Sequence, residues 1–144
     1  MKPTPKGWPR ISSSLIYDGA AEAIDWLCRA FGFQVRIKVD GEGGRVVHSE
    51  LTFGDDGVVM VSDGGRADHP HLKSPVGAGG ANTQALFVYV DDVDAHCARA
   101  RAAGARIVRD PEDVDYGEEH WSDRGYEAID CGGHHWYFAQ RLRG

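Results

Sequence analysis

The stretch Val88-Tyr89-Val90-Asp91 opens the second half of this chain, and the first half opens in the same way with Leu15-Ile16-Tyr17-Asp18. In each copy an apolar run typical of a strand meets an acid. A pattern typical of a helix of about four turns follows and ends at a glycine, Gly104 or Gly32. The two acids lie 73 positions apart, roughly half of the 144 residues. A repeat this long is not a solenoid unit, and it predicts two similar half-domains that pack together with a cleft where they meet.

The composition is ordinary for a globular protein, with 42% hydrophobic and 26% charged residues. The net charge of −6 argues against nucleic acid and acidic membranes as partners. No run of 18 apolar residues occurs and the first nine residues are not apolar, so we expect neither a membrane span nor a signal peptide. Three cysteines without CxxC spacing argue against a disulfide framework, and a cytoplasmic location is the default expectation.

The order of predicted elements is βαβββ twice. We expect Asp18 and Asp91 to cap the two helices, and a polar loop to run from Arg109 to Ser122 after a short sixth strand. A long loop rich in Gly, Pro, Asp and His joins the halves as a lid or mobile linker. The predicted organisation is an arm over residues 1–9, a first module over 10–64, the linker loop over 65–82 and a second module over 83–144.

One helix per half covers only one face of its sheet, so the two bare faces are expected to enclose a shared cavity. Side chains alternate along a strand, and the apolar set on each strand suits the helix side. The alternation therefore predicts that the cavity is lined by His48, Glu50 and Thr52 of the third strand, by Ala85, Phe87 and Tyr89 of the fifth, and by His135 and Tyr137 of the last.

Three stretches carry a resemblance to a known family. They are Ala23-Ile24-Asp25-Trp26-Leu27 with Ala30-Phe31-Gly32-Phe33, then Phe87-Val88-Tyr89-Val90-Asp91-Asp92-Val93-Asp94-Ala95 with Ala102-Ala103-Gly104-Ala105, and finally Asp130-Cys131-Gly132-Gly133-His134-His135-Trp136-Tyr137-Phe138. Their order and spacing resemble the glyoxalase/bleomycin-resistance/dioxygenase group, the vicinal oxygen chelate superfamily. Cys131 replaces the proline that is usual in the closing motif. The resemblance spans about residues 10 to 140.

The resemblance implies an α+β fold of two βαβββ modules, in which a U-shaped mixed sheet surrounds a shared cleft, and often a homodimer. Metal-dependent members of the group hold a divalent ion with His, Gln and Glu from the first and last strand of each module. Carried over, those positions fall at Ser12, Met60, Ala85 and Tyr137, and none of these residues is a good ligand. We therefore expect neither a metal nor another cofactor.

Metal-free members of the group sequester drugs, so the resemblance implies binding of a small, partly aromatic molecule, with drug resistance of the bleomycin type as one such role. The expected contacts are His48, Glu50, Met60, Phe87, Tyr89, Trp121, Arg124, His135 and Tyr137. The alternative is a glyoxalase-like lyase or isomerase, or a dioxygenase, with a non-standard metal set such as His48, Glu50 and His135, or with no metal. A third interpretation is a vestigial cleft on a protein whose surface binds another protein.

Two of these contacts have a second interpretation. Trp121 and Arg124 lie just before the seventh predicted strand. They can stack on a ligand and anchor an anion. Equally, they can form a packing anchor and a structural ion pair, for example with Asp130. For the pair His134-His135, adjacent strand residues point to opposite faces, so only His135 is expected to face the ligand.

Overall fold

The computed structural model describes residues 1–144 as eight strands and two α-helices, with a short 3-10 turn over Glu42–Gly44. The elements are β1 Ser13–Tyr17, α1 Ala20–Phe31, β2 Gln34–Asp40, β3 Val46–Phe53, β4 Gly57–Asp63, β5 Leu86–Tyr89, α2 Val93–Ala102, β6 Arg106–Asp115, β7 Ser122–Ile129 and β8 His135–Arg143. The predicted order of βαβββ twice is confirmed. The chain divides into two compact units, Met1–Gly80 and Ala81–Gly144.

Each unit contains one mixed four-stranded sheet, with the strand orders β1-β4-β3-β2 and β5-β8-β7-β6. The first and last strands of each unit are parallel, and the other pairs are antiparallel. The register repeats as well, because Ser14 lies opposite Met60 in one unit and Phe87 lies opposite Tyr137 in the other. The α+β class with two mixed sheets and two helices is therefore confirmed.

The core of each unit lies between its helix and one face of its sheet. The apolar side of α1 is buried, and this core includes Tyr17, Ile24, Leu27, Phe31 and Leu51. In the second unit, α2 covers Tyr126, Trp136 and Phe138 with Val93, Cys97 and Ala100. Burial of a large apolar side chain contributes about 1.5–3 kcal/mol, so these cores hold each helix on its sheet. Neither helix is long and apolar enough to cross a membrane.

The start of α1 differs from the prediction. Asp18 is exposed and makes no cap, and the N-cap position is Gly19 with φ of 88° and no side-chain cap bond. The buried carboxylate of Asp63, at the end of β4, caps the start of α1 instead. Its Oδ1 accepts hydrogen bonds from the amides of Gly19 and Ala20, both at 3.0 Å. The prediction was wrong because the acceptor comes from the neighbouring strand, where Asp63 lies opposite Tyr17.

The start of α2 differs by one residue. The N-cap is Asp92, whose Oδ1 accepts from the amide of Ala95 at 2.9 Å, and not Asp91. Two adjacent acids offer the same capping chemistry, so local sequence does not distinguish them.

The region after α2 is more regular than predicted. The expected polar loop from Arg109 to Ser122 is a hairpin, because β6 continues to Asp115 and pairs with β7. Pro111 lies at a register shift between Arg109 and Glu112, where its missing N–H costs no ladder bond. Proline and charged residues are untypical of a central strand, so the sequence did not indicate β6, which lies at the edge of the sheet.

Candidate functional site

The face of the second sheet that points away from α2 carries aromatic side chains. Trp136 and Phe138 alternate into the core, so Tyr137 points to the opposite face. Phe87 and Tyr89 of β5 lie on this open face and are 56% and 48% exposed. Side chains this apolar and this exposed are candidates for a binding surface.

The rings on this face form a continuous surface, which we call the aromatic platform: Phe87, Tyr89, His135 and Tyr137. Phe87 stacks near Tyr137 with ring centroids 6.4 Å apart and an interplanar angle of 25°. His135 also stacks against Tyr137, with ring centroids 4.8 Å apart and an interplanar angle of 28°. Phe87 meets Tyr89 edge to face at 5.2 Å. Each of Phe87 and His135 is therefore nearly parallel to Tyr137, and Tyr89 stands edge-on to Phe87, which gives a flat molecule several aromatic contacts.

One end of the platform is closed by a cation between two rings. The Arg141 guanidinium lies 5.1 Å from the ring centroid of Tyr89 and 5.2 Å from that of Trp121. Its Nε donates to Asp123 Oδ1 at 2.6 Å, and the Tyr89 hydroxyl donates to Asp123 Oδ2 at 3.2 Å. Arg141 thus contacts both Trp121 and Tyr89.

The other end of the platform is polar. His135 Nε2 lies 3.1 Å from Glu127 Oε2, and Arg109 Nε lies 3.1 Å from Glu127 Oε1. The Arg109 contact is an ion pair by distance but is too poorly aligned for a hydrogen bond from Nε. Arg109 Nη1 donates to Glu112 Oε1 at 2.8 Å. The imidazole at the edge of the platform is therefore held by a carboxylate that a guanidinium holds in turn.

The first unit also has an imidazole, a carboxylate and a guanidinium in contact on the open face of its own sheet. Arg36 Nε donates to Glu50 Oε2 at 2.7 Å, and His48 Nε2 lies 3.3 Å from Glu50 Oε1. Glu50 is only 7% exposed. Burial alone would raise the pKa of Glu50, but the hydrogen bonds from Arg36 and His48 outweigh it and hold the pKa below its usual range. Glu50 is thus an ionised carboxylate with both oxygens engaged.

The amino-terminal arm contacts this cluster. Arg36 Nη1 donates to the carbonyl oxygen of Gly7 at 2.6 Å, and its guanidinium lies 4.8 Å from the ring centroid of Trp8. Met60, opposite Glu50 on β4, is half-buried on the same face as Glu50. The structure therefore places His48, Glu50 and Met60 together, and it adds Arg36 and Trp8, which the sequence analysis did not select.

The carboxylates and the arginines of the two clusters occupy equivalent places in their units, whereas His48 lies on β3 and His135 on β8. Glu50 lies opposite Met60, and Glu127 lies opposite Tyr137, the matching position of the repeat. Arg36 and Arg109 are 73 positions apart, the offset of the repeat, and each adjoins a register shift in its strand. That shared offset was a usable signal for the arginines. Alternation within Tyr126-Glu127-Ala128 was a signal for Glu127, since its neighbours are buried on the helix side.

Arg124 does not belong to this surface. It lies on the helix side of β7, where its Nε and Nη2 donate to the two carboxylate oxygens of Asp94 at 2.8 and 2.9 Å. Its Nη1 donates to Asp113 Oδ1 at 2.9 Å. The expectation of a ligand anchor is corrected to the structural ion pair, formed with Asp94 and Asp113 and not with Asp130. The reason is strand parity, because Arg124 shares a face with Tyr126.

The residues at the metal positions implied by the family do not fit a divalent ion. Ser12 and Ala85 precede the first strand of their units, and Met60 and Tyr137 lie on the last. A hydroxyl, a methyl group, a thioether and a phenol do not form a donor set for zinc, nickel or iron. Of the non-standard set, His48 and Glu50 belong to one unit and His135 to the other. No group of three or more His, Cys, Asp or Glu side chains that could hold a metal ion occurs in residues 1–144.

Comparison with known proteins establishes the family. The model of the Glyoxalase/Bleomycin resistance protein/Dioxygenase superfamily matches residues 11–135. The chain therefore belongs to this superfamily. It is 33% identical over 135 residues to an uncharacterised protein of Mycobacterium bovis, covering 94% of this chain and 85% of that protein. An uncharacterised protein of Mycobacterium tuberculosis is also 33% identical, over 94% of this chain and 76% of its own length.

Solved structures show the same fold. TioX from Micromonospora sp. ML1 is 35% identical, with a TM-score of 0.68 over 91% of this chain and 94% of TioX. A glyoxalase/bleomycin resistance protein from Streptomyces sp. CB03234 is 21% identical, with a TM-score of 0.64 over 90% of this chain and 97% of its own. The second likeness concerns the fold alone. Both agree with the family assignment.

Proposed function

We propose that this protein binds a small, planar, partly aromatic molecule on the aromatic platform, without a metal ion. The observation that carries the proposal is the row of rings formed by Phe87, Tyr137 and His135, in which Phe87 is 56% exposed and the other two are half-buried. The chain gains no stability from leaving apolar ring surface in water, whereas a flat ligand gains stacking and apolar burial there. Sequestration of a drug-like compound is the role that this chemistry supports.

The polar groups around the platform supply orientation. Arg141 and Trp121 lie at one end, and His135 with Glu127 lies at the other. Binding sites of this kind combine an apolar surface with a few fixed polar groups. For the first unit taken by itself, we propose that His48, Glu50 and Met60 contact a small ligand, since they share the open face of that sheet.

The alternative is an enzyme of the same superfamily. A metal-dependent lyase, isomerase or dioxygenase needs several imidazole or carboxylate donors around one ion, and the four positions implied by the family lack them. The Glu50 carboxylate is already engaged by Arg36 and His48. Binding is therefore favoured over metal-assisted catalysis.

Replacement of Phe87 by alanine is expected to weaken binding of planar ligands. The ring is more than half exposed, so its loss should leave the fold intact while removing one stacking partner. We expect an affinity loss of about tenfold, equivalent to about 1.4 kcal/mol. The measurement is Trp fluorescence quenching, or thermal shift, against a panel of planar aromatic compounds.

The matched control for Phe87→Ala is Val76→Ala, since Val76 is an exposed apolar residue of the other unit. It should change neither affinity nor melting temperature. Equal weakening by both variants, or unchanged affinity in Phe87→Ala, would contradict the platform as the binding surface.

We also propose that the chain forms a homodimer. The edge strand β2 is exposed along all seven residues and carries Val35, Ile37 and Val39 at more than 40% exposure each. An exposed apolar edge of this kind invites pairing with another chain. Sedimentation equilibrium should give twice the mass of one chain, and Ile37→Lys should shift the molecule to the monomer. A monomer in the unmodified protein would rule this proposal out.

A further inference from the structure

His135 is held in a way that leaves one nitrogen available. Its Nε2 contacts Glu127 Oε2, one face of its ring lies on Tyr137, and its backbone amide donates to Asn82 Oδ1 at 3.3 Å. The other ring nitrogen, Nδ1, has no hydrogen-bond partner in the protein, and the side chain is 24% exposed. The available nitrogen therefore lies at the edge of the aromatic platform.

The carboxylate of Glu127 determines what this nitrogen can do. Arg109 forms an ion pair with Glu127 at Oε1, and a carboxylate oxygen accepts but does not donate, so the contact with Nε2 is a hydrogen bond donated by the imidazole. In the neutral imidazole one nitrogen carries the proton and the other carries a lone pair. With the proton on Nε2, Nδ1 is an acceptor. A carboxylate that orients a histidine in this way also stabilises the imidazolium that forms when the histidine takes up a proton.

We infer that His135 is a proton acceptor for the ligand, and that the platform selects planar weak acids carrying an O–H or N–H group. On binding, the O–H bond of the ligand breaks, its electron pair stays on the ligand oxygen, and the proton forms a bond with Nδ1. The resulting anion faces an imidazolium that is paired with the Glu127 carboxylate. This inference rests on the proposed binding function and adds the chemical class of the ligand.

The charged groups that face His135 are few. Glu127 comes from β7, Arg109 comes from β6 with its partner Glu112, and Tyr137 lies on the same strand. On the β5 side the neighbour is Phe87, which lies opposite Tyr137 and has no ionisable group. Arg141 is the other cation of the platform and could itself attract an anion, so the experiment must separate it from His135.

The probe is 4-nitrophenol, because its absorbance reports directly whether the bound molecule is phenol or phenolate. Its titration is followed from pH 5 to 9 with saturating protein. We expect the bound probe to ionise about one pH unit lower than the free probe, a tenfold shift in its acid dissociation constant. Nitrobenzene has the same shape but no acidic proton, and it measures binding to the platform alone.

Two variants identify the acceptor. In Glu127→Gln, Arg109 favours the amide oxygen on its own side, which turns the amide NH₂ toward Nε2 and moves the imidazole proton to Nδ1. His135→Phe keeps a ring on Tyr137 but has no nitrogen. Both should abolish the shift in nitrophenol ionisation, and the nitrobenzene affinity of each variant measures any change in stacking separately. Glu118→Gln, an exposed carboxylate in the same unit, is the matched control and should behave as the unmodified protein.

The outcomes are distinct. Failure of nitrobenzene and nitrophenol to bind counts against the platform, and with it the proton acceptor. Binding of both compounds without a shift in ionisation leaves the proposed binding function standing and overturns the role of His135. A shift that survives in His135→Phe belongs to Arg141 and overturns it as well.

Discussion

Replacement of Asp63 by alanine is expected to lower the free energy of unfolding by about 3 kcal/mol. The buried carboxylate accepts from the amides of Gly19, Ala20 and Val46, at 3.0, 3.0 and 2.8 Å. Asp63 therefore caps the start of α1 and also links β4 to β3 by a hydrogen bond. Alanine removes three charge-assisted bonds and leaves their donors without this acceptor, at about 1 kcal/mol each. Urea denaturation followed by far-UV circular dichroism measures the change.

Asp18→Ala is the matched control. Asp18 is the acid that the sequence suggests as the helix cap, but it is exposed and makes no cap bond. Its replacement should change the free energy of unfolding by less than about 0.5 kcal/mol. If Asp18→Ala were the more damaging of the two variants, the observed capping by Asp63 would be wrong.

Asp63 also gives the stability a pH dependence. Burial alone would raise the pKa of Asp63, but the amide hydrogen bonds and nearby Arg45 outweigh it and hold the pKa below its usual range. Because the folded pKa is below the unfolded value of about 3.9, this contribution is fully present above that pH and is lost as the pH falls through the folded pKa. Asp63→Asn should flatten stability against pH in this acidic window. An unchanged acid profile would contradict the assignment.

The fold was largely predictable from the sequence because its signals are local and repeated. The strand–acid–helix–glycine pattern appears twice, and the predicted order of βαβββ in each half is observed, although β6 is longer than predicted. The errors arise where a partner comes from elsewhere in the chain. Asp63 caps α1 from β4, and β6 is stabilised as a strand by its pairing with β7. Neither partner is visible in a local window of sequence.

The candidate site was predictable only in part, for the same reason. Strand alternation placed Phe87, Tyr89 and Tyr137 on the open face, since apolar and exposed positions alternate along a strand. It could not reveal that β7 and β8 are neighbours in a register that brings Glu127 to His135. The face on which Arg124 lies was not predicted, because the observed β7 starts earlier than the predicted strand and Arg124 was taken to precede it.

Replacement of Trp136 by alanine should cost about 4 kcal/mol of stability, the largest effect that we expect from a single substitution. Trp136 is fully buried beneath α2, and its ring lies parallel to that of Phe138, with centroids 5.9 Å apart. Its Nε1 donates to the buried carboxylate of Asp130 at 2.9 Å. Alanine loses the apolar burial, leaves a cavity and removes this hydrogen bond together.

Two further variants separate these contributions. Trp136→Phe keeps most of the apolar surface but has no N–H for Asp130, so it should cost about 2 kcal/mol. Trp121→Ala removes the exposed tryptophan of the same unit and should cost about 1 kcal/mol or less, since only its contacts with neighbouring rings and with Arg141 are lost. Chemical denaturation of the three variants should rank them in this order. If Trp121→Ala lowered the free energy of unfolding as much as Trp136→Ala, the assignment of Trp136 to the core of the second unit would be wrong.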